Sequence, residues 1–182
     1  MRITTYGRGN AGGGLANLWE RAGHEVTRLG REGGDVSAAD VVLLAIPGGA
    51  VADGIHKLRG FQGKTFIDAT NRFGVEPPPG FSSNAEFLKA HTGGPTAKAF
   101  NLNFARLYDQ IATTRARPCS LWCGDDEAAE IVETLTRDAG YDPVRTGKLE
   151  MAGLHEAMMR ALSGIKDEIG LFFYRAAPPD SL

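Results

Sequence analysis

Apolar positions follow two alternating patterns along the chain. Short apolar runs, typical of strands, alternate with segments whose apolar residues recur every three or four positions, typical of helices. The predicted strands cover 2–6, 25–29, 41–46, 64–69, 97–100, 120–123 and 142–145. Five helices are predicted. Two of them end before Gly23 and Gly140, and the other three cover 50–58, 83–90 and 151–174. This alternation favours a doubly wound α/β fold with a mostly parallel sheet.

The first predicted strand is joined to the first helix by a glycine-rich turn, Gly7-Arg8-Gly9-Asn10-Ala11-Gly12. This is the G-x-G-x-x-G fingerprint, and the strand before it and the helix after it make the fingerprint informative. Gly7 permits the tight turn, Gly9 leaves the backbone open to a pyrophosphate, and Gly12 allows the helix to pack closely on the strand. Because a helix N-terminus also offers free N–H groups, the turn predicts a Rossmann-type domain that binds a dinucleotide.

The segment after the second predicted strand is short. A full Rossmann half has a helix and a third strand there, whereas Gly30–Asp40 contains two consecutive glycines and lacks the length for both elements. We therefore expect this edge of the sheet to be trimmed, with no strand beyond the second.

The tip of the second strand predicts which dinucleotide binds. NAD-binding domains usually place an Asp or Glu there, which accepts hydrogen bonds from the ribose 2′-OH. Here the strand ends at Leu29-Gly30, and Arg31 and Glu32 follow. A guanidinium pairs well with a 2′-phosphate, although Glu32 would offset part of its charge. Arg31 therefore predicts NADP(H) in preference to NAD(H), unless it is a solvated loop residue.

Composition and charge exclude several other classes. The 182 residues suit one domain with at most a small appendage. The net charge of -2 gives no reason to expect nucleic acid or an anionic membrane as partner, and no apolar run approaches the roughly 20 residues of a membrane span. The strand pattern begins at the second residue, which predicts no signal peptide. Cys119 and Cys123 are expected to be free buried thiols, as in a cytoplasmic protein.

The last predicted helix carries a long apolar stripe. Its members are Met151, Leu154, Met158, Leu162, Ile165, Ile169 and Phe172. The stripe is expected to cover the chain's own sheet, while His155, Met159 and Phe173 widen the apolar face. A second apolar face on the last helix favours a homodimer contact, and the alternative is a helix that wraps the monomer. The predicted division is a Rossmann NADP-binding domain over 1–149 and a C-terminal helical appendage over 150–182.

Further motifs carry a resemblance to a known family. They are Gly9–Ala16, Gly23–Val26, Ala45–Pro47, Asp68–Asn71, Lys98–Asn101 and Cys123–Glu127, together with Arg31. This set, which spans most of residues 1–165, resembles the NADPH-dependent coenzyme F420 reductases (F420:NADP oxidoreductases). The chain departs from the family in its trimmed edge, in Gly30 where a serine is common, and in the absence of a His-Thr pair from 101–108.

The resemblance implies direct hydride transfer between the nicotinamide of NADP(H) and a deazaflavin or flavin acceptor, F420 or FMN. It also implies that Pro47–Gly49 and Asn71 line the ring pocket and that the C-terminal helix helps to form a dimer. Together with the fingerprint, it predicts that the cofactor is bound by Gly7, Arg8, Gly9, Asn10, Ala11, Gly12, Gly30, Arg31, Ile46, Pro47, Gly48, Gly49, Val51, Ala69 and Asn71.

Candidates near the chemistry are polar residues that follow strands. Asn71, Asn101 and Asn103 fall at the expected carboxyl edge, where each could bind a ring amide or cap a turn. His155 is a further candidate, although a core or interface histidine is the plainer interpretation. Hydride transfer between two rings depends on positioning, so no acid–base pair is required. The four histidines are scattered, so no metal site is expected.

Two other functions remain open at this stage. One is NADPH-dependent reduction of a small imine or carbonyl compound. Enzymes of that kind carry a large helical domain after the Rossmann unit, and here only about 32 residues follow Glu150. The other is a non-catalytic module that binds NADP(H).

Overall fold

The computed structural model describes residues 1–179. Its strands are β1 (Arg2–Tyr6), β2 (Glu25–Leu29), β3 (Gly34–Asp35), β4 (Val41–Leu44), β5 (Leu58–Arg59), β6 (Thr65–Asp68), β7 (Thr96–Ala99), β8 (Cys119–Gly124) and β9 (Asp142–Gly147). The α-helices are α1 (Asn10–Arg21), α2 (Val51–Ile55), α3 (Asn84–Thr92), α4 (Ala129–Asp138) and α5 (Ala152–Ile169). Short 3₁₀-helical turns lie at Gly48–Ala50, Ala105–Thr113, Asp126–Ala128 and Leu149–Met151.

A seven-stranded sheet with the order β2-β1-β4-β6-β7-β8-β9 forms the centre of the molecule. Strands β2, β1, β4, β6 and β7 run parallel to one another. Strand β8 is antiparallel to β7, and β9 is parallel to β8. The predicted mostly parallel Rossmann-type fold is therefore confirmed. The first five strands of that order all end at one edge, which we call the carboxyl edge.

The trimmed edge is also confirmed, because β2 is the outermost strand on its side of the sheet. The segment after β2 is not wholly irregular, however. It contains the two-residue strand β3, which pairs with β5 in a separate small sheet. The sequence pattern missed both strands because two residues are too few to show a period.

Helices cover the sheet on both faces, as the alternating pattern predicts. All four residues of β4 are fully buried, as expected of a central parallel strand. On one face, Leu15 and Trp19 of α1 pack with α4, and the Trp19 indole donates a hydrogen bond of 2.8 Å to the carbonyl of Leu135. On the other face, α2 and α3 cover a cluster that includes Phe66. The carboxyl edge thus rests on a rigid core.

The predicted orientation of α5 is wrong for four of the seven stripe residues, whereas Leu162 is buried as predicted. Leu154 and Ile169 of the predicted stripe are 60% and 70% exposed, and Met158 and Ile165 are also among the exposed large apolar residues. The face that packs on the protein consists of Ala152, His155, Glu156, Met159 and Leu162. Hydrophobicity alone gave the wrong face because two of the buried positions are polar.

The last helix is also shorter than predicted. It ends at Ile169 because Gly170 takes a left-handed backbone with φ of 84°. The chain then turns back along β8, where Cys119 N–H donates to the carbonyl of Tyr174 at 3.0 Å. Phe172 packs edge-to-face on Phe104 at 5.2 Å between ring centroids. Residues 180–182 of the predicted appendage lie outside the described residues.

The structure also tests the expectations for a membrane span and for the two cysteines. Within residues 1–179, no helix has the length and apolar character needed to cross a membrane. Cys119 and Cys123 are both buried and unpaired, and burial raises the pKa of the Cys123 thiol to about 12.

Candidate dinucleotide and ring site

The glycine-rich turn has the geometry that its spacing predicts. Gly7 has a φ of 121°, and a Cβ built on it would collide with the carbonyl of Ala45. A Cβ on Gly12 would collide with the carbonyl of Gly7, so α1 packs directly against the turn. Gly9, in contrast, has no atom within 4 Å of its Cβ position. The backbone at Gly9 is therefore open on the side where a pyrophosphate would approach.

The N-terminus of α1 offers its backbone N–H groups at this opening. Gly9 is the N-cap residue, so no side chain caps the helix, and the first turn carries no acidic residue. Asn10 and Ala11 begin that turn. Uncapped N–H groups and the helix dipole together favour a bound anion.

Arginine side chains surround the tip of β2. The Arg8 guanidinium lies over Gly30 and is 3.0 Å from a carboxylate oxygen of Glu32. Arg31 is exposed, and its side chain has no ion pair or hydrogen bond among the described residues. Its carbonyl accepts a bond of 3.3 Å from Lys57 Nζ, which fixes the backbone of the tip. The structure thus brings Gly30 and Arg31, predicted from the second strand, next to Arg8 of the fingerprint.

A cleft of about 640 Å³ runs from the glycine-rich turn towards the segment 105–109. Arg8, Gly9 and Asn10 line one end, and Arg28 and Arg106 line its sides. Arg28 is held by Glu20, whereas Arg106 is exposed and has no ion partner in the described part of the chain. Sequence analysis missed Arg106, because it lies far from the fingerprint along the chain.

The turn after β4 is fixed by a residue that sequence analysis also missed. Asn84, at the start of α3, is fully buried and donates to the carbonyl of Gly48 at 3.0 Å and to Thr70 Oγ1 at 2.9 Å. It therefore ties the ends of β4 and β6 together. Only the cap at Ser83, which accepts from Glu86 N–H, gave a sequence signal for this helix start.

The residues predicted around this turn differ in their access. Pro47 and Gly49 are exposed and Ile46 is half-buried, so they can line a ligand site. Gly48 is buried against the backbone of Asn71. The prediction for Val51 is wrong as far as its side chain is concerned, because that side chain is 1% exposed and packs in the core below α2.

Two asparagines form a reciprocal pair at the ends of β6 and β7. Asn71 Nδ2 donates to the carbonyl of Asn101 at 2.7 Å, and Asn101 Nδ2 donates to Asn71 Oδ1 at 3.0 Å. Asn101 Oδ1 is buried and accepts no hydrogen bond from the described residues 1–179. A buried acceptor without a donor is costly, so this oxygen is a candidate to bind an N–H group of a ligand.

A strained residue sets the position of Asn101. Phe100 has a φ of 63°, the one positive φ at a non-glycine residue in the described chain, and its ring is buried edge-to-face against Trp19. Left-handed backbone at a bulky residue persists only where the surroundings enforce it, and such residues cluster at functional sites. Ala69, at the end of β6, is buried and can contribute only its backbone.

A buried charge network lies behind the asparagine pair, and sequence analysis missed it. Lys98 Nζ is 2.7 Å from Asp68 Oδ2, 2.9 Å from the carbonyl of Thr70 and 3.1 Å from Glu156 Oε1. Arg72 donates from Nε to the other oxygen of Glu156. Two cations and two carboxylates thus balance each other and join α5 to β6 and β7. The motifs that contain Asp68 and Lys98 were noted, but nothing in the sequence pairs them with Glu156.

A second cleft, of about 440 Å³, lies between this network and the loop after β6. Its walls include Arg72, Val75 and Glu76 from the loop and Glu156 and Arg160 from α5. Arg72 adjoins both Asn71 and Gly48, so the cleft begins where the ring pocket is predicted to be.

His155 is buried on the inner face of α5. Its ring is 3% exposed, and Nε2 lies 2.7 Å from Thr146 Oγ1. Burial, together with the charge of Lys98, lowers the pKa of His155 to about 4, so the ring is neutral near pH 7. It packs under α5 as a core histidine, the plainer of the two interpretations.

Asn103 likewise has a structural position. Its Nδ2 donates to the carbonyl of Cys119 at 3.1 Å, and its Oδ1 accepts from Ser120 at 2.7 Å. Both amide atoms are therefore committed to β8. No group of three or more potential metal ligands occurs among residues 1–179.

Comparison with known proteins finds likeness in structure only. No family model matches the sequence, and no curated protein matches it. A solved protein assigned as an F420-dependent NADP reductase from Arthrobacter sp. FB24 is 21% identical, with a TM-score of 0.75, over 98% of this chain and 100% of that one. A hypothetical protein from Sinorhizobium meliloti, SMa0349, is 22% identical, with a TM-score of 0.59, over 84% of this chain and 87% of its own length.

A larger enzyme shares the same unit. The reductive aminase of Aspergillus terreus, solved with NADPH and ethyl levulinate, is 18% identical, with a TM-score of 0.66, over 92% of this chain. This chain spans 62% of the aminase. At identities this low, the comparisons show the fold alone. It is the Rossmann type found in NAD(P)-dependent reductases.

Proposed function

We propose that this protein is an NADP(H)-dependent oxidoreductase that transfers hydride between the nicotinamide and a deazaflavin acceptor of the F420 kind. The observation that carries the proposal is the carboxyl edge itself. Across the sheet it places a cationic tip at β2, an open phosphate-binding turn after β1 and a buried amide oxygen after β7, which is the order in which NADP presents its 2′-phosphate, pyrophosphate and carboxamide.

The residues present fit NADP(H). Gly9 leaves room for the pyrophosphate, the N–H groups at the start of α1 face it, and Arg31 is free to pair with the 2′-phosphate. Asn101 Oδ1 is a buried acceptor suited to the carboxamide N–H. When bound, the cofactor supplies the hydride, and the chain positions the ring and keeps water away from it.

The acceptor assignment rests on the likeness of fold and on the cleft beside Arg72. The Arthrobacter protein, which matches over 98% of this chain, is named for F420 and NADP. The 440 Å³ cleft opens next to Asn71 and Pro47–Gly49, where an acceptor ring would meet the nicotinamide. None of the three proteins compared above is named for a flavin, so F420 is favoured over FMN as the acceptor.

The test is oxidation of NADPH by the full chain with F420, FMN and riboflavin offered separately. F420 should support turnover well above the two flavins, and NADH should be the poorer donor. Turnover with none of the three, although NADPH binds, would contradict the acceptor assignment and leave the cofactor assignment standing.

One observation favours a second candidate. The reductive aminase shares this fold and was solved in complex with NADPH and ethyl levulinate, a carbonyl compound. The polar walls of the cleft, with Glu76 and Arg160 on opposite sides, also suit a small polar substrate. NADPH oxidation with ethyl levulinate and an amine, in the absence of F420, separates this candidate from the first.

We further propose that the protein is a homodimer with α5 at the contact. The exposed apolar residues Leu154, Met158, Ile165 and Ile169 share one side of the helix, and large exposed apolar patches commonly mark protein contacts. Sedimentation equilibrium at micromolar concentration should give a dimer, and Ile165→Glu should shift the equilibrium to monomer. A wild-type monomer of 19.4 kDa would contradict this proposal alone.

A further inference from the structure

Arg8 lies folded back over the tip of β2. Its Nη2 is 3.0 Å from Glu32 Oε1, and the two side chains are 58% and 68% exposed. A Cβ built on Gly30 would collide with the same guanidinium. The turn after β1 and the tip of β2 are therefore in direct contact through the Arg8 side chain.

Two guanidiniums therefore border one strand tip. Arg31 is next to Gly30 in the chain and has no ion partner within residues 1–179, whereas Arg8 is occupied by Glu32. Glu32 belongs to the same tip and pairs with neither Arg31 nor Lys57. Within residues 1–179, Arg31 at the tip thus has no ion partner, whereas an acidic neighbour covers Arg8.

We infer that Arg8 is a second ligand of the cofactor's 2′-phosphate and that Glu32 is a competitor which the phosphate displaces. This inference rests on the proposed NADP(H) function. A phosphate monoester carries a charge of about -1.5 to -2 at pH 7 and accepts bidentate bonds from a guanidinium. An exposed ion pair is worth little, so exchanging Glu32 for the phosphate costs little.

The arrangement makes Glu32 a determinant of cofactor selection. NADPH competes with Glu32 for Arg8, whereas NADH carries no 2′-phosphate and leaves the Arg8–Glu32 pair in place. Removing the carboxylate should therefore tighten the binding of NADPH and leave the binding of NADH unchanged. Removing Arg8 should weaken NADPH far more than NADH.

The experiment measures dissociation constants of NADPH and NADH for the full chain by cofactor fluorescence at fixed ionic strength. Glu32→Gln should tighten NADPH about twofold to fivefold, the range that an exposed ion pair allows. Arg8→Gln should weaken NADPH about tenfold or more, as expected for a lost charge-assisted bond. In the double variant, Glu32→Gln should give no gain.

Glu133→Gln on α4 is the matched control. It removes one carboxylate from another exposed pair, Arg137–Glu133 at 2.7 Å, and changes the net charge equally. It should leave both constants unchanged. An equal gain in this control would assign the effect to overall charge and overturn the inference.

Two other outcomes would also overturn it. An unchanged NADPH constant in Glu32→Gln would show that Glu32 does not compete. Equal weakening of NADPH and NADH in Arg8→Gln would assign Arg8 to the pyrophosphate. A wild-type chain that binds neither dinucleotide would instead refute the proposed function, and the inference with it.

Discussion

At the β1 and β2 end of the carboxyl edge, the cleft is built from backbone. Gly7, Gly9 and Gly12 shape it by what they lack, and exposed arginines stand around it. At the β6 and β7 end, the site is built from buried side chains, with the Asn71–Asn101 pair in front of the Lys98 network. The first end depends on neighbours in sequence, and the second depends on residues up to 84 positions apart, as in the contact of Arg72 with Glu156.

The comparison implies that binding and stability can be separated. A change at Gly9 should remove the ligand and spare the fold, because that position faces open space. A change at the network end should cost stability first, because its charges are enclosed and compensate one another.

Gly9→Val should have the largest effect, the loss of measurable NADPH binding by a folded protein. The branched side chain would fill the space that the pyrophosphate needs, while no protein atom lies within 4 Å of its Cβ position. The measurements are NADPH fluorescence titration and the thermal unfolding midpoint. Gly164→Val on α5, which also has open space around its Cβ, is the control and should keep its affinity. Retained NADPH affinity in Gly9→Val would place the cofactor elsewhere.

The sequence predicted the glycine end well because that end is built from residues close together along the chain. Each of the three glycines meets a local requirement of the turn. Gly7 has a positive φ, Gly9 faces open space, and Gly12 packs closely on the turn, so the requirements appear in the sequence as glycines at a fixed spacing. The parallel sheet and its trimmed edge follow from apolar runs and segment length, which are also local.

The network end was beyond such reasoning. Glu156 lies on a helix whose apolar residues suggested another face, and its burial is possible only because Lys98 and Arg72 meet it there. Lys98 is fully buried in β7, where a lysine gives no sign of its partner. The strained Phe100 and the tie from Asn84 to Gly48 are likewise products of tertiary contacts.

Lys98→Met should reduce the free energy of unfolding by about 3–5 kcal/mol, because it leaves Asp68 and Glu156 buried without their shared cation. Urea unfolding followed by tryptophan fluorescence measures the loss. Arg137→Met breaks an exposed pair instead and should cost at most about 1 kcal/mol. Equal small losses in both variants would mean that the network contributes no more than a surface pair.

His155 should make stability fall in acid. Its pKa is about 4 in the folded protein against 6.5 for an unperturbed histidine, so the unfolded chain binds more protons between these limits. Stability from the neutral ring is therefore complete above pH 6.5 and is lost as the pH falls towards 4, by about 3 kcal/mol in all. His155→Gln, which keeps a polar group near Thr146, should flatten the unfolding free energy against pH over this interval. An unchanged slope would assign the acid sensitivity to other groups.

Arg31→Ala should have the smallest effect, and it acts at the glycine end alone. Losing a charge-assisted bond to the 2′-phosphate should weaken the binding of NADPH by about 1–3 kcal/mol and leave the binding of NADH nearly unchanged. The side chain is exposed and unpaired in the described chain, so the unfolding midpoint should not move. Fluorescence titration with both cofactors, and Arg160→Ala on α5 as control, makes the measurement. Because Arg160 lines the other cleft, its removal should leave both cofactor constants unchanged. If Arg31→Ala instead weakened the binding of NADPH and NADH equally, Arg31 would not contact the 2′-phosphate, and selection between the two cofactors would be left to Arg8 at the same strand tip.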